Sequence, residues 1–290
     1  MVLEWQSLRL VAAGALGGAL GAAGSTLQRY LNNDLADPYL LGMSGASVLG
    51  AVGMSLVLPA LASAGPNEIL FTHLFGSFVA GAIVLLLIVW ARGRFYHNAE
   101  GLVVFGVVIN AVCSALTMIL MNLDNPIYPK IDYSWFIGRI ESYGAAPTLV
   151  LLGLVALGVV ALYGLRNAVE RSPYGAAYLR RLKIQPVQLN SMVLLAVWII
   201  VSTVSAFAGS IGFVGLMIPH LARRISQGFS RELVWSVILG ACFLAFADHL
   251  SRRLAYPRVL PVGIVTSLCG SVALGVLLLR ARSLRRSRRA

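Results

Sequence analysis

Long apolar stretches separated by short polar breaks dominate this chain. Blocks of about 17 to 25 apolar residues alternate with charged or Pro/Gly-rich segments, which is the spacing of membrane-spanning helices. The pattern predicts nine such helices, at residues 9–30, 40–60, 69–90, 99–122, 146–166, 191–208, 211–225, 232–252 and 261–280. Backbone groups in lipid must bond within their own segment, and the alternating pattern of a β-barrel is absent from the sequence. We therefore expect an all-α polytopic membrane protein with one domain over residues 1–290.

The predicted helix 211–225 is the shortest and has the most distinctive sequence. The stretch GSIGFVGLMIPHLAR, residues 209–223, has a glycine at every third position from Gly209 to Gly215. These glycines leave one helical edge without side chains, where another backbone can approach closely. The apolar run ends at Pro219, just before a basic cluster. Since a span needs about 20 apolar residues, we expect a short helix packed against its neighbours, with its basic end near water.

Composition supports the membrane interpretation, and the positions of the charged residues predict which loops face the cytoplasm. The 290 residues are 58% hydrophobic and 12% charged, with a mean hydropathy of +0.82 and a net charge of +12. Most Lys and Arg residues fall in four clusters, at 92–94, 166–183, 223–231 and 280–289. Basic loops stay in the cytoplasm, so we place these clusters and the C-terminus there, which puts seventeen of the 23 basic residues inside. The distribution argues against a nucleic-acid-binding protein.

Cysteine, histidine and the N-terminus add little chemistry. Cys113, Cys242 and Cys269 lie in separate apolar segments without paired spacing, so we predict small core residues rather than disulfides or ligands. His73 and His220 are isolated, and no metal site is expected. The N-terminus lacks the pattern of a removable signal peptide, and we expect the helices themselves to direct insertion.

Two polar residues near the outer end of the span 232–252 raise other hypotheses. Asp248 is a carboxylate inside a membrane segment, which is a candidate functional group. A proton-coupled secondary transporter would use such a group, and a membrane enzyme could combine it with His249 and His220. Arg252 lies one turn further on and offers an ordinary i to i+4 salt bridge, the interpretation that we favour.

The longest predicted outer loop, 123–145, is rich in aromatic residues. Tyr133 and Trp135 in this loop are typical of an interfacial anchor. The alternative is that the loop forms the lip of a substrate entrance.

Three motifs together resemble a known family. NNDLADPYLLGMSGAS at 32–47, GSIGFVGLMIPHLAR at 209–223 and LPVGIVTSLCG at 260–270 resemble, in order and spacing, the FecCD-type permeases of type II ABC importers. These bacterial importers carry iron-siderophores, haem or vitamin B12. The similarity extends from about Arg9 to Leu279. The family has ten spans, so the resemblance implies a type II importer permease in which the first span does not appear: either the sequence starts after that span, or this member has dispensed with it.

The resemblance implies a translocating subunit rather than an enzyme, in a bacterial inner membrane. It implies a homodimer around a central pathway that works by alternating access, a cytoplasmic ABC ATPase dimer that holds ATP and Mg, and an extracytoplasmic substrate-binding protein. The sequence has no G-x-x-x-x-G-K-[ST] loop, so we expect no nucleotide or other cofactor on this chain. Basic and tyrosine residues of the outer loop favour an anionic iron chelate, such as a ferric siderophore or haem: Tyr128, Lys130, Tyr133 and Arg139.

The cytoplasmic loop 167–190 aligns with the family's coupling loop, two short helices that dock on the ATPase. The resemblance assigns this role within residues 172–184 to Pro173, Tyr174, Gly175, Ala176, Tyr178, Leu179, Arg180 and Leu182. Tyr178, Leu179 and Leu182 would form an apolar face at helical spacing. The alternative is a stretch that lies on lipid headgroups. The chain departs from the family at Ala176, commonly acidic, and at Lys183, commonly glycine.

The resemblance also assigns residues on both faces of the membrane. Arg9 and Arg252 match arginines of vitamin B12 permeases that pair with acidic residues of the binding protein, and Arg253 is an additional candidate. The alternative is that these arginines snorkel to the interface. The cytoplasmic gate would contain Asn33, Leu35, His97 and Asn98. Asp34 could instead cap a helix that begins near Ala36. The basic tail 281–290 is expected to face cytoplasmic lipid.

Overall fold

All regular secondary structure in the part of the chain that the structure describes is helical. The computed structural model describes residues 2–57, 66–94, 99–122, 133–254 and 259–287, and no strand occurs within these ranges. The helices are α1 (Val2–Leu31), α2 (Met43–Val57), α3 (Pro66–Arg94), α4 (Ala99–Met121), α5 (Tyr133–Phe136), α6 (Ala145–Arg171), α7 (Ala176–Arg181), α8 (Pro186–Ala208), α9 (Val214–Ile225), α10 (Phe229–Leu254) and α11 (Val262–Ser287). Apart from the short α5 and α7, each helix coincides with one predicted span. The predicted all-α fold is confirmed.

Helix length divides these elements into two groups. Within the described ranges, α1, α3, α4, α6, α8 and α10 are long and apolar enough to cross a membrane. Helix α2 has 15 residues and α9 has 12, which gives lengths of about 22 and 18 Å, less than the hydrocarbon thickness of about 30 Å. The predicted span 40–60 begins too early, because a 3-10 turn at Pro38–Leu41 and the left-handed Gly42 (φ 81°) precede α2.

The core lies around α1 and α8. These two helices bury most of their central residues, whereas α4 exposes most of its length. Leu16 and Leu27 of α1 are fully buried, together with Phe207 at the end of α8 and Phe229 at the start of α10. The other long helices therefore surround a centre built from α1 and α8.

Helices α1 and α10 run antiparallel and approach closely along glycine residues. A methyl group on Gly17 would overlap the carbonyl oxygen of Gly240, and a methyl group on Gly21 would overlap that of Ser236. Small residues at such a contact let two helix backbones pack directly against each other. The sequence carries the strip on α1 as Gly14, Gly17, Gly18, Gly21 and Gly24.

Helix α9 is shorter than the predicted 211–225 because the chain turns before it. Gly209 has a positive φ (67°) and Phe213 a left-handed backbone (φ 68°), and these two residues separate α8 from α9. Gly209 also lies against the carbonyl oxygen of Trp135, where a larger residue would not fit. The prediction of a short helix packed against its neighbours is confirmed. The predicted glycine edge is wrong, because Gly209 and Gly212 precede α9 and only Gly215 lies within it.

The cysteines differ in their surroundings. Cys113 is buried, as predicted for a small core residue. Cys242 and Cys269 are exposed on the surface of the chain, so the prediction of a core position is wrong for these two. Both lie on long helices whose outer faces are apolar, where a small thiol is as acceptable as in a core.

Candidate functional site

A buried salt bridge joins α1 and α10 at the predicted outer end of the bundle. Arg9 donates to both oxygens of Asp248, from Nε to Oδ2 at 3.1 Å and from Nη2 to Oδ1 at 2.7 Å. Arg252 donates from Nη2 to Asp248 Oδ2 at 3.1 Å. The predicted pair of Asp248 and Arg252 is confirmed, and Arg9 is a second partner that the sequence did not reveal.

The position of Arg9 changes its predicted role. Arg9 is only 8% exposed, and its guanidinium group is already bound to a carboxylate of its own chain. Removing the Arg9 guanidinium group from Asp248 would leave this buried carboxylate with one fewer partner, which would destabilise the protein. This geometry argues against the predicted direct contact between Arg9 and a binding protein. Arg252 is partly exposed and Arg253 is exposed, so these two side chains remain accessible.

A cavity of about 460 Å³ opens beside this salt bridge. Its lining comes from the first turns of α1 that the structure describes and from the last turns of α10: Gln6, Arg9, Leu10, Ala245, Asp248, His249, Arg252 and Arg253. Three arginines and one carboxylate give the lining a net positive charge. Charge-assisted hydrogen bonds from arginine favour carboxylates, so an acidic side chain of another protein is a suitable occupant.

The aromatic segment from α5 to the start of α6 packs against the end of α8. Trp135 is buried, and the hydroxyl group of Tyr143 donates to the carbonyl oxygen of Phe207. Burial raises the pKa of Tyr143, so the hydroxyl group keeps the proton that makes this bond. Trp135 therefore packs inside the chain, where it acts neither as an interfacial anchor nor as a lip. Tyr128 and Lys130 lie outside the described residues.

The predicted gate residues Asn33 and Leu35 lie in an ordered turn after α1. Asn32 closes α1 with a left-handed backbone (φ 48°), and the N–H of Asn33 donates to the carbonyl oxygen of Gln28 at 3.0 Å. Oδ1 of Asn33 accepts the N–H of Leu35 at 3.0 Å. The Leu35 side chain is exposed. The structure thus brings these two residues together at the end of α1.

The helix cap predicted for Asp34 belongs to another aspartate. Asp37, in the connection between α1 and α2, caps the 3-10 turn and accepts the N–H of Tyr39 at 3.1 Å. Burial raises the pKa of Asp37 to about 6, although backbone N–H groups oppose this shift. Asp34 has an exposed side chain and turns instead toward α9. The other predicted gate residues, His97 and Asn98, lie outside the described residues.

At the predicted cytoplasmic end, a buried carboxylate binds arginines from two helices. Glu232 of α10 lies 3.2 Å from Nη2 of Arg29 on α1 and 3.4 Å from Nη1 of Arg223 on α9. Ser25 donates its hydroxyl group to Glu232 Oε1 at 3.0 Å. The sequence interpretation treated these arginines only as topogenic charges. A glutamate directly after the basic cluster 223–231 is the sequence signal that could have revealed the site.

The predicted coupling segment forms two short helices. A 3-10 turn, Ser172–Tyr174, is joined to α7 through Gly175 (φ 90°). Helix α7 ends with the N–H of Ile184 donating to the carbonyl oxygen of Leu179 at 3.0 Å, the bond of a Schellman motif. Lys183 occupies the left-handed position of this motif (φ 60°). The geometry explains why glycine suits this position, at which the chain departs from the family pattern.

The exposed face of the segment differs from the predicted one. Tyr174 is 73% exposed, Tyr178 and Leu182 are also exposed, and the two tyrosine rings lie 5.2 Å apart. Leu179 is only 3% exposed and packs into the core of its own chain. The exposed apolar face therefore consists of Tyr174, Tyr178 and Leu182, without the predicted Leu179. The remaining predicted coupling residues are all exposed: Pro173, Gly175, Ala176 and Arg180.

The residues of the enzyme hypothesis do not converge. Nδ1 of His220 lies 3.3 Å from Nη2 of Arg223, which itself contacts Glu232. Asp248 follows Glu232 on the same helix after 16 residues, or about 24 Å along the axis. His220 is therefore far from Asp248 and His249. Within the part of the chain that the structure describes, no three His, Cys, Asp or Glu side chains are grouped to hold a metal ion.

Comparison with known proteins assigns this architecture to a family. A sequence profile of the FecCD transport family matches residues 1–280. The chain belongs to the FecCD transport family. It is 33% identical over 279 residues to the uncharacterized ABC transporter permease protein YvrB of Bacillus subtilis (strain 168), covering 94% of this chain and 76% of YvrB. It is 32% identical over 290 residues to the hemin transport system permease protein HmuU of Yersinia pestis, covering 97% of this chain and 84% of HmuU.

A solved structure has the same fold as this FecCD permease. It is described as a metal-chelate type ABC transporter in an inward-facing conformation, and it matches with a TM-score of 0.79 and 23% sequence identity. The match covers 94% of this chain and 86% of the other. The FecCD permease is a multi-pass membrane protein with the fold of a type II ABC importer permease, as predicted.

Proposed function

We propose that this FecCD permease is the translocating subunit of an ATP-driven, binding-protein-dependent importer for an iron chelate. The family match over residues 1–280 carries the proposal. An accessible helical segment at one end of the bundle and a basic cavity at the other support it, because an importer needs contacts on both faces. YvrB and HmuU, the relatives compared above, are both named as permeases.

The energy source in this proposal is a separate ABC ATPase dimer that holds ATP and Mg. The sequence contains no G-x-x-x-x-G-K-[ST] loop that could cradle a nucleotide. The segment 172–184 offers Tyr174, Tyr178 and Leu182 as exposed apolar anchors beside the exposed Arg180. Aromatic and arginine side chains are the usual anchors of protein interfaces, so we assign ATPase docking to this face. Its basic charge fits the predicted cytoplasmic location. The same charge rule predicts a cytoplasmic C-terminus.

The substrate-binding protein would dock over the basic cavity at the outer end. Arg252 and Arg253 are the accessible charges there, and Asp248 holds Arg252 in place through a 3.1 Å hydrogen bond. Arg9 contributes indirectly, because it shares Asp248 with Arg252. Positive charges at a rim steer an acidic partner and fix its orientation.

A homodimer that works by alternating access would complete the pathway. Helix α4 exposes an apolar stripe at helical spacing, which a second copy or lipid must cover: Val104, Val108, Val112, Leu116 and Ile119. Asn33 and Leu35 at the end of α1 would form part of the cytoplasmic gate. For the cargo we favour an iron chelate such as haem, for which the relative HmuU is named.

The contacts of Asp248 argue against a proton-coupled mechanism. Asp248 accepts three hydrogen bonds from the guanidinium groups of Arg9 and Arg252. A carboxylate that is fixed between two permanent cations is poorly suited to taking up and releasing a proton during transport.

Co-purification tests the proposal. We would express the tagged permease with its cognate ATPase and binding protein, and identify the bound chains and the small molecule by mass spectrometry. We expect two permease copies and two ATPase subunits in one complex, with an iron chelate on the binding protein. A stable permease that retains no ATPase would contradict the assembly. A ligand without iron or a tetrapyrrole ring would overturn the substrate assignment.

A further inference from the structure

Arg223 of α9 lies between a buried carboxylate and an exposed one. Its Nη1 is 3.4 Å from Oε1 of Glu232, and its Nη2 is 3.4 Å from Oδ1 of Asp34. The same Nη2 donates to Oε1 of Gln28 at 2.6 Å. One guanidinium group therefore connects α1, α9 and α10 with the turn that follows α1.

We propose that Arg223 and Asp34 form a latch. In this proposal Arg223 holds the turn 32–36 against α9 in the conformation described here, and the turn moves only after Asp34 leaves Arg223. The inference deepens the proposed function, on which it rests, because Asn33 and Leu35 of this turn are the proposed gate residues. It assigns a positioning role to two residues that are not themselves proposed to line the pathway.

The two carboxylates hold Arg223 with very different strength. Glu232 is buried and shares its oxygens with Arg29 and Ser25, so removing Arg223 would leave a buried charge with fewer partners. The side chain of Asp34 is 76% exposed, so water can replace Arg223 at little cost. One end of the connection is thus permanent and the other is easily released, as a latch requires.

The turn 32–36 has an ordered shape of its own, so it can move as a unit once Asp34 leaves Arg223. The N–H of Ala36 donates to the carbonyl oxygen of Asn33 at 3.1 Å, and the N–H of Leu35 donates to Oδ1 of Asn33 at 3.0 Å. These bonds are internal to the turn. Asp34 lies between them and carries the contact to α9.

The same network reaches the proposed coupling segment. Helix α6 ends directly before this segment, and Oε1 of Glu170 in its last turn accepts the N–H of Phe229 at 3.3 Å. The guanidinium group of Arg29 stacks over the Phe229 ring at 5.4 Å and also binds Glu232. A displacement of the coupling segment can therefore reach Arg223 through residues in direct contact.

Hydrogen exchange on the purified permease in lipid nanodiscs tests the latch without any partner. Asp34→Asn removes the charge from an exposed side chain, so the fold should persist. We expect the amides of residues 32–36 to exchange about two to five times faster than in the wild type, after correction for intrinsic rates, as for a partly exposed ion pair. The unfolding midpoint should stay constant. Asp34→Glu should restore slow exchange, and Arg224→Gln, an exposed neighbour on α9, should leave it unchanged.

The outcomes separate the latch from the proposed function. Unchanged exchange in Asp34→Asn overturns the latch, whatever the assembled transporter does. Faster exchange that persists to the same degree in an Arg223→Gln background also overturns it, because the effect would not depend on Arg223. Faster exchange that vanishes in that background supports the latch, even if wild-type permease fails to assemble with an ATPase. That last failure would count against the proposed function alone.

Discussion

Gln28 of α1 donates a hydrogen bond from Nε2 to the carbonyl oxygen of Gly215 on α9, at 3.2 Å. In an uninterrupted α-helix that oxygen would accept the N–H four residues on, but Pro219 has none. The same Nε2 lies 3.2 Å from the carbonyl oxygen of Leu216. A side chain from α1 thus supplies the hydrogen-bond donor that Pro219 lacks. The backbone hydrogen bonding of α9 therefore depends on α1.

We expect Gln28→Leu to lower the free energy of unfolding by about 1–3 kcal/mol, since it leaves a buried carbonyl oxygen without a donor. Pro219→Ala restores a backbone N–H, so the cost of Gln28→Leu should shrink in that background. Thermal unfolding of the four proteins in detergent provides the double-mutant cycle. Gln188→Leu, at an exposed position of α8, is the control for the change in polarity. Equal costs in both backgrounds would show that Gln28 does not compensate for Pro219.

Because Arg9 forms a buried salt bridge with Asp248, we expect its substitution to lower the stability of the permease strongly. The family resemblance had instead placed Arg9 on a docking surface. Arg9→Gln should lower the free energy of unfolding by about 3–5 kcal/mol, because it removes the bidentate partner of a buried carboxylate. Arg253→Gln, at an exposed arginine nearby, should change it by less than about 0.5 kcal/mol. Chemical unfolding followed by tryptophan fluorescence measures both.

Affinity for the binding protein should depend more on Arg253 than on Arg9, the reverse of their effects on stability. Arg253→Glu is expected to weaken docking while the permease remains stable. If Arg253→Glu binds as tightly as the wild type and Arg9→Gln is fully stable, the roles assigned to these two arginines are wrong.

The contact between α1 and α10 predicts that position 17 tolerates only glycine. Gly17→Ala should destabilise the permease by about 1–3 kcal/mol, because the added methyl group overlaps the carbonyl oxygen of Gly240. Gly153→Ala in α6 is the matched control, since no atom lies within 4 Å of its added methyl group. It should be neutral or stabilising by up to about 1 kcal/mol. Unfolding midpoints that fall equally in both variants would refute the close contact.

The end of α7 predicts a stabilising substitution. Lys183→Gly should stabilise the coupling segment by about 1 kcal/mol, because its backbone is left-handed and glycine adopts that conformation without strain. Gly175→Ala should have the opposite sign, since Gly175 also has a positive φ although its surroundings are open. Hydrogen exchange of the peptide 176–184 reports both effects. Faster exchange in Lys183→Gly than in the wild type would contradict the assigned motif.

The sequence predicted the features that depend on local patterns. Apolar blocks of membrane length marked all of the long helices, and the shortness of α9 followed from a short run ending at Pro219. The glycine strip of α1 was equally visible, because Gly14, Gly17 and Gly21 repeat at helical spacing. It could have been predicted but was not.

Features that depend on distant contacts could not be predicted in this way. Arg9 and Asp248 are 239 positions apart in the sequence, so no local pattern pairs them. Spacing placed Leu179 and Leu182 on one apolar face of α7, but the packing of α7 on the bundle decides which side is covered. Leu179 faces inward and Leu182 outward. Tertiary contacts therefore changed the candidate residues at both ends of the bundle more than they changed the fold.

Uptake into proteoliposomes tests the central claim most directly. The permease would be reconstituted with its cognate ATPase and binding protein, and accumulation of a radiolabelled iron chelate measured with ATP enclosed on the ATPase side. We predict accumulation that requires ATP, the ATPase and the binding protein together, and none when a proton gradient replaces ATP. Accumulation by the permease alone, driven by a proton gradient, would contradict this account.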